Sequence, residues 1–191
     1  RLEYGEGFVF YSTKEDMLTR TEYNINFNGI HRDEVLDFAE EKKGVPLKID
    51  NVWESFPDDL KEKFLSGIEA RGERVNVCFT CKSVDDLALI ARRFPKAELH
   101  YDGRDLSDGT LARARALAGD RPLVIWVCYD NKRSEWCKNE KASAALCGRV
   151  KKYGQVGIWI LSEREELEKA VNEYGADVIE TTGHIKPWWL S

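Results

Sequence analysis

His100 and Asp102 are the two side chains of this sequence best placed for acid–base chemistry. They lie in Leu99-His100-Tyr101-Asp102, within a segment that predicts a β-strand. Residues two apart on a strand project from the same face, so an imidazole and a carboxylate would face one pocket. The carboxylate would favour the protonated imidazole and raise its pKa, which suits the ring to bind an anion or carry a proton. The alternative is a histidine that only hydrogen-bonds its neighbour.

Two further charged residues stand where predicted strands end. Asp50 follows Val45-Pro46-Leu47-Lys48-Ile49, and Lys82 follows a strand predicted over 75–81. The carboxyl ends of parallel strands are where α/β folds build their sites. Lys82 is there a candidate for contacting an anionic group of a substrate. The alternative for Asp50 is a carboxylate that caps backbone amides, and the alternative for Lys82 is a lysine exposed on a loop.

Aromatic and acidic residues on the later strands are further candidates. Trp126 and Trp159 can stack on a ligand, although aromatic residues on strands also serve as core. Glu180 lies inside an apolar strand and either points into the interior or sits at the strand end. His184 follows that strand, close to where phosphate binds in α/β barrels.

An alternation of apolar strands and amphipathic helices positions these residues. From residue 45 onward six parallel strands are predicted, starting near Val45, Val75, Glu98, Leu123, Val156 and Asp177. Helices are predicted over 31–43, 60–71, 84–93, 107–117, 140–153 and 163–174, with Ser83 and Ser162 as N-caps and Glu165 completing a capping box after Ser162. A short strand is predicted at 8–12 and a polar loop at 18–28. The carboxyl ends of the six strands would bring Asp50, Asp102, Asn131, Ser162 and Thr182 to one rim.

Six parallel strands are fewer than the eight of a closed α/β barrel, and 191 residues are fewer than the ~250 typical of that fold. The fold class is therefore α/β, as one domain over 1–191. It is either an open doubly wound sheet or a barrel that lacks its first two strands. A barrel of the second kind would expose sheet edges, which predicts self-association.

Composition excludes several classes of partner. The formal net charge is −5, and 34 acidic and 29 basic side chains are well mixed, so no basic stripe exists to bind nucleic acid. No apolar run approaches the ~20 residues of a membrane span, and residues 1–7 are too polar for a signal peptide. The compartment stays unassigned.

Five cysteines form an odd set. Cys78 and Cys81 have C-x-x-C spacing, but residues three apart on a strand point to opposite faces, so this spacing does not predict a redox or zinc site. The other cysteines lack histidine partners at ligand spacing. The sequence predicts small buried thiols and no disulfide.

Several short motifs are spread along the chain, and their order carries more information than any one of them alone. They are Phe8-Val9-Phe10-Tyr11, Met17-Leu18-Thr19-Arg20-Thr21, His31-Arg32-Asp33-Glu34-Val35-Leu36, Val45-Pro46-Leu47-Lys48-Ile49-Asp50, Phe94-Pro95, Gly157-Ile158-Trp159-Ile160-Leu161-Ser162 and Gly175-Ala176-Asp177-Val178-Ile179-Glu180-Thr181-Thr182. In this order they resemble the glycerophosphodiester phosphodiesterase family, which has a TIM-barrel fold. The resemblance covers nearly the whole chain and is strongest after Leu123.

The resemblance implies a TIM barrel without its first two strands, and a divalent cation, Mg²⁺ or Ca²⁺. It makes Asp50 a metal-ligand position. It also implies a small phosphodiester as substrate and a place in lipid metabolism. The family's His-Arg-Gly, Glu-Asn-Thr and Glu-x-Asp motifs have no counterpart in this chain, and Ser12-Thr13-Lys14-Glu15-Asp16 contains no second histidine.

Two functions from different classes follow. One is a phosphodiesterase that hydrolyses glycerophosphodiesters or related phosphodiesters with a divalent cation, provided that upstream strands complete the site. The other is a degenerate, non-catalytic relative that serves as a binding or interaction module. Hydrolysis needs charge stabilisation of the phosphoryl oxygens, a base and an acid, and these groups are largely missing from the chain.

Overall fold

The computed structural model describes residues 8–11, 22–25, 32–41, 47–130 and 140–181. The predicted residues Asn131, Thr182 and His184 lie outside the described ranges. The strands are β1 (Phe8–Tyr11), β2 (Glu22–Ile25), β3 (Leu47–Ile49), β4 (Val77–Cys81), β5 (Glu98–Tyr101), β6 (Leu123–Cys128), β7 (Gln155–Leu161) and β8 (Val178–Thr181). The α-helices are α1 (Arg32–Glu41), α2 (Asp58–Glu69), α3 (Val84–Arg93), α4 (Asp108–Ala118), α5 (Ala144–Val150) and α6 (Arg164–Asn172), and 3₁₀ helices cover Asn51–Ser55 and Gly72–Arg74.

The strands form one sheet in the order β1 to β8. The six predicted parallel strands are confirmed as β3 to β8, each hydrogen-bonded in parallel to the next. The loop predicted over 18–28 is wrong in part, because β2 lies within it and pairs in parallel with β3. β1 is antiparallel to β2. The Glu-Tyr-Asn-Ile sequence of β2 is too polar to predict a strand by pattern, and the edge of β3 supplies its backbone partners.

The sheet curls on itself. Cα atoms of β1 and β8 come within 8 Å of each other, although these strands stand at opposite ends of the sheet order. The fold is thus α/β, with the six predicted parallel strands β3 to β8, extended by β2, in a curled, partial TIM-barrel-like sheet. The edge of β3 that a truncated barrel would expose is paired with β2. The structural reason for self-association is thereby reduced, and self-association itself stays a prediction.

The two faces of the strands differ in character. Alternate residues such as Phe79, Ile125 and Ile158 join one large apolar cluster with helix residues. Burial of each such side chain contributes roughly 1.5–3 kcal/mol, so this outer cluster holds the helices on the sheet. Val124 and Trp126 form a second, smaller cluster with Trp159 and Val178. The alternation therefore places the second cluster on the inner face of the curl.

Serine side chains begin three of the helices. Ser83 Oγ accepts from the Asp86 backbone N at 3.0 Å, as predicted, and Ser107 and Ser143 cap α4 and α5 in the same way. The N-cap predicted at Ser162 is wrong by one residue. Glu163 is the N-cap of α6, and Glu166 closes the capping box in place of Glu165, because the helix begins at Arg164.

The cysteines divide into free thiols and a disulfide. Cys78, Cys81 and Cys147 are free and buried, whereas Cys128 is disulfide-bonded. The prediction of a disulfide-free chain is therefore wrong. Cys81 belongs to the outer apolar cluster, and Cys78 pairs in register with the inward-facing Lys48, so C-x-x-C spans both faces as predicted. None of the described helices is long and apolar enough to cross a membrane.

Candidate functional site

Lys48 is the central charged residue of the inner face. It lies in the middle of β3, and its side chain is 3% exposed. Its Nζ lies 3.2 Å from Glu180 Oε2 on β8 and 4.2 Å from the centroid of the Trp126 ring on β6. An ammonium, a carboxylate and an indole face from three separate strands thus meet inside the curl, and they combine an ion pair with a cation–π contact.

The charge state of Lys48 follows from its neighbours. Burial alone would lower the pKa of the ammonium, but nearby carboxylates more than reverse this effect, and the pKa is raised. The carboxylates belong to Glu180, Asp50 and Asp102. Because a lysine acts as a nucleophile only when its amine is neutral, Lys48 serves here as a fixed positive charge.

Asp102 stands at the carboxyl end of β5, at the rim of the curl. Its backbone N donates to Cys81 O at 2.8 Å, and its Oδ2 accepts from Asn51 Nδ2 at 3.0 Å. Its Oδ1 is buried and has no hydrogen-bond partner within the described ranges. Burial raises the pKa of the Asp102 carboxyl to about 7, against the lowering effect of Lys48. Asp102 therefore changes charge near neutral pH and keeps one oxygen available.

Both ring nitrogens of His100 form hydrogen bonds within the protein. Nε2 lies 2.9 Å from Glu98 Oε1, and Nδ1 accepts from Trp126 Nε1 at 3.1 Å, so the proton sits on Nε2. The predicted pairing with Asp102 is wrong. The ring instead bonds Glu98, which lies two residues before His100 in the strand, whereas Asp102 lies two residues after it. The predicted rise in pKa is also wrong: burial of this 1%-exposed side chain lowers the imidazole pKa.

Glu54 links the 3₁₀ helix after β3 to the end of β4. Its Oε1 accepts from the Lys82 backbone N at 2.7 Å, and burial raises the pKa of its carboxyl to about 7. In the same helix Trp53 donates from Nε1 to Thr80 O at 3.2 Å. The Lys82 side chain is exposed at this rim, as the loop-lysine alternative expects.

Asp50 follows β3 on the same rim and is half-buried. The described ranges hold no group of three His, Cys, Asp or Glu side chains arranged to bind a metal ion. The Lys48 ammonium already supplies the positive charge that faces Asp50, Asp102 and Glu180. A divalent cation would be repelled by this ammonium and would find too few oxygen ligands. The side chains of the described residues therefore do not fit Mg²⁺ or Ca²⁺.

Two tryptophans line the inner face beside these charges. Trp126 is buried and Trp159 half-buried, and both pack with Val124 and Val178. Gly157 makes room for the Trp126 ring, since a Cβ at that position would lie 2.6 Å from it. The Trp159 Nε1 and Thr80 Oγ1 atoms are buried and have no hydrogen-bond partner within the described ranges.

Pattern analysis missed several members of this site. Lys48, Asn51, Glu54, Thr80 and Glu98 were not candidates. The alternation of side chains along a strand could have identified three of them. Lys48, Thr80 and Glu98 each lie an even number of residues from a candidate, Asp50 or His100, or pair in register with one, and therefore face the same side of the sheet.

A groove of about 310 Å³ lies elsewhere, at the amino ends of β4 and β5, lined by residues such as Val75, Phe94 and Ala97. It is remote from the strand ends that carry Asp50 and Asp102.

Comparison with known proteins gives no relative. No family model, curated protein or solved structure matches the chain. The resemblance to glycerophosphodiester phosphodiesterases therefore stays a prediction, and the site has to be interpreted from its own geometry.

Proposed function

We propose that this chain is a non-catalytic small-molecule-binding protein whose ligand occupies the inner face of the curled sheet at the carboxyl ends of its strands. The observation that carries the proposal is the state of Asp102. Asn51 holds one carboxylate oxygen, and the other is buried with no partner in the described part of the chain. Because buried polar atoms are normally hydrogen-bonded, the second oxygen indicates a place for a ligand group.

The ionisable groups of this site favour binding over hydrolysis. His100 uses both nitrogens within the protein, and burial lowers its pKa, so it is poorly suited to transfer protons. The Lys48 ammonium is paired with Glu180, so its charge is already balanced within the protein. Asp50, Glu54, Asp102 and Glu180 outnumber Lys48 and Lys82 on the inner face and its rim, which disfavours an anionic diester when these carboxyl groups are ionised.

One observation supports the phosphodiesterase as a second candidate. A carboxyl with a pKa of about 7, such as that of Asp102, is matched to general acid–base catalysis at neutral pH. Such an enzyme would draw its metal ligands and its second proton carrier from residues outside the described ranges, with His184 the remaining histidine candidate on the carboxyl side.

Binding and turnover assays on the full 191-residue chain separate the two candidates. The proposal expects some members of a library of neutral, cationic and anionic small molecules to perturb the Trp159 and Trp126 indole signals in NMR spectra. Asp102→Asn should alter that binding, and Asp85→Asn, on an exposed helix position, should not. Incubation of glycerophosphocholine with Mg²⁺ or Ca²⁺ should give no turnover. Hydrolysis that EDTA and Asp50→Ala both abolish would refute the proposal in favour of the enzyme.

A further inference from the structure

Three buried polar atoms on the inner face have no partner in the described part of the chain. They are Thr80 Oγ1, Asp102 Oδ1 and Trp159 Nε1. Thr80 is fully buried, and its Cα pairs in register with His100, so its hydroxyl is on the inner face. An unpaired buried polar atom destabilises the protein, and this cost is removed when a ligand completes the hydrogen bond.

The three atoms share one surface. Asp102 is the next inward position after His100 on β5, and its backbone N bonds to the residue that follows Thr80 on β4. Trp159 belongs to the inner cluster with Trp126, whose ring contacts both His100 and Lys48. Lys48 interacts in turn with Asp102. Each of the three residues is therefore linked to the Lys48–Trp126 contact, Asp102 through Lys48, Trp159 through Trp126, and Thr80 through its register with His100.

Their chemistry defines what would satisfy them. The indole N–H of Trp159 can only donate, so it needs an acceptor, whereas a carboxylate oxygen of Asp102 needs a donor. The Thr80 hydroxyl can do either. A hydroxyl group both donates and accepts, so a molecule with several hydroxyls carries the groups that all three atoms require.

The charges at the site disfavour ligands with a full charge. A cation would be repelled by the Lys48 ammonium, which already pairs with Glu180. An anion would be repelled by Asp50 and Glu180, and by Asp102 when its carboxyl group is ionised. The ring of Trp159, which is only partly buried, offers apolar surface to the C–H groups of an uncharged ligand.

We infer that the inner-face site takes a neutral hydroxylated molecule, a polyol or a monosaccharide, bonded to Thr80, Asp102 and Trp159. This inference rests on the proposed function and specifies the class of its ligand. The hydroxyls donate to Asp102 and accept from Trp159, and the carbon skeleton lies against the Trp159 ring.

The test uses four probes on the full chain: glycerol and D-glucose as neutral hydroxylated probes, tetramethylammonium and inorganic phosphate as charged ones. ¹⁵N-detected indole N–H signals report the binding. At least one neutral probe should produce a saturable shift of the Trp159 signal. Thr80→Val removes one bonding group with little change in shape, Trp159→Phe removes the indole N–H together with one ring, and each should weaken that binding about tenfold or more. Asp85→Asn should leave it unchanged.

The possible outcomes separate this inference from the proposed function. Saturable binding of a charged probe alone would overturn the ligand class and leave a binding function in place. Binding of a neutral probe with unchanged affinity in Thr80→Val and Trp159→Phe would overturn the assigned contacts. Thr80→Ser, which keeps the hydroxyl, should retain affinity and shows whether a loss in Thr80→Val comes from the missing bond. Absence of binding by all four probes would overturn the inference, and the wider library would then decide the proposed function.

Discussion

Lys48 and Glu180 form an ion pair of 3.2 Å between strands that are separated by four others in the sheet order. A flat sheet of parallel strands spaced about 4.8 Å apart would keep β3 and β8 roughly 24 Å apart, far beyond the reach of two side chains. The pair therefore exists because the sheet curls. It also places two opposite charges in the interior, so the stability of the inner face depends on both Lys48 and Glu180.

Removal of one partner of this pair should be strongly destabilising. Lys48→Met leaves Glu180, whose side chain is 12% exposed, without its counter-charge, and we expect a loss of about 3–5 kcal/mol in the free energy of unfolding. The double variant Lys48→Met/Glu180→Met should recover much of that loss. Urea unfolding followed by circular dichroism measures both. Lys96→Met, which breaks an exposed pair with Glu73, serves as control and should change stability by less than about 0.5 kcal/mol. Equal losses in the single and double variants would contradict the pairing.

Thr80→Val should stabilise the protein in the absence of ligand. The Thr80 hydroxyl is buried and unpaired within the described ranges, so its replacement by a methyl group removes a desolvation cost of about 1 kcal/mol or more. Thr110→Val is the matched control, because Thr110 Oγ1 donates to Asp105 Oδ2 at 2.5 Å and its loss should destabilise. Thermal and urea unfolding measure the two changes, which are expected to have opposite signs. A loss of stability in Thr80→Val would mean that the hydroxyl has a partner in solution.

The contribution of Asp102 to stability should fall as the pH rises toward neutrality, while His100, whose pKa is lowered by burial, acts in the opposite direction. Burial raises the folded-state pKa of Asp102 from its ordinary value of 3.8 to about 7, so the folded protein keeps a proton that the unfolded chain releases. The stabilisation from the protonated carboxyl is complete below the unfolded pKa and is lost as the pH passes about 7. Glu54, whose pKa is raised to about 7 as well, acts in the same direction.

Asp102→Asn tests the origin of this dependence. The amide oxygen of the new side chain can still accept from Asn51 Nδ2, while the titrating group is gone. Urea unfolding at intervals between about pH 4 and pH 8 should show a shallower decline in this variant than in the parent chain. Asp85→Asn, at an exposed position, should keep the parent slope. Identical slopes in all three proteins would show that Asp102 titrates with an ordinary pKa.

Gly157→Ala should destabilise the inner face. The added methyl would lie 2.6 Å from the Trp126 ring, and the ring would have to move, at a cost of about 1–3 kcal/mol. Movement of Trp126 would also weaken its hydrogen bond to His100 and should change the indole fluorescence. Gly148→Ala is the control. A Cβ there meets no atom within 4 Å inside α5, so the variant should gain about 0.5–1 kcal/mol. A neutral Gly157→Ala would indicate that the Trp126 ring has room to shift.

Local sequence patterns were sufficient for the elements and their order. Runs of apolar residues predicted β3 to β8, and the start predicted for β5 and both bounds predicted for α3 match those observed. The cap at Ser83 was predictable because a serine side chain bonds an amide only three residues away. Such interactions lie within a few residues of each other, and a pattern along the chain records them directly.

The tertiary structure decided which residues meet. β2 forms from a polar segment because β3 offers it an edge, and His100 bonds Glu98 and Trp126 in place of the predicted Asp102. Lys48 and Glu180 are 132 positions apart, and neither residue carries a local signal of the other. Their contact depends on the curl of the whole sheet, which sums the twist and register of every strand between them. Side-chain alternation can assign residues to the inner face, but only closure of the sheet brings opposite strands within bonding distance.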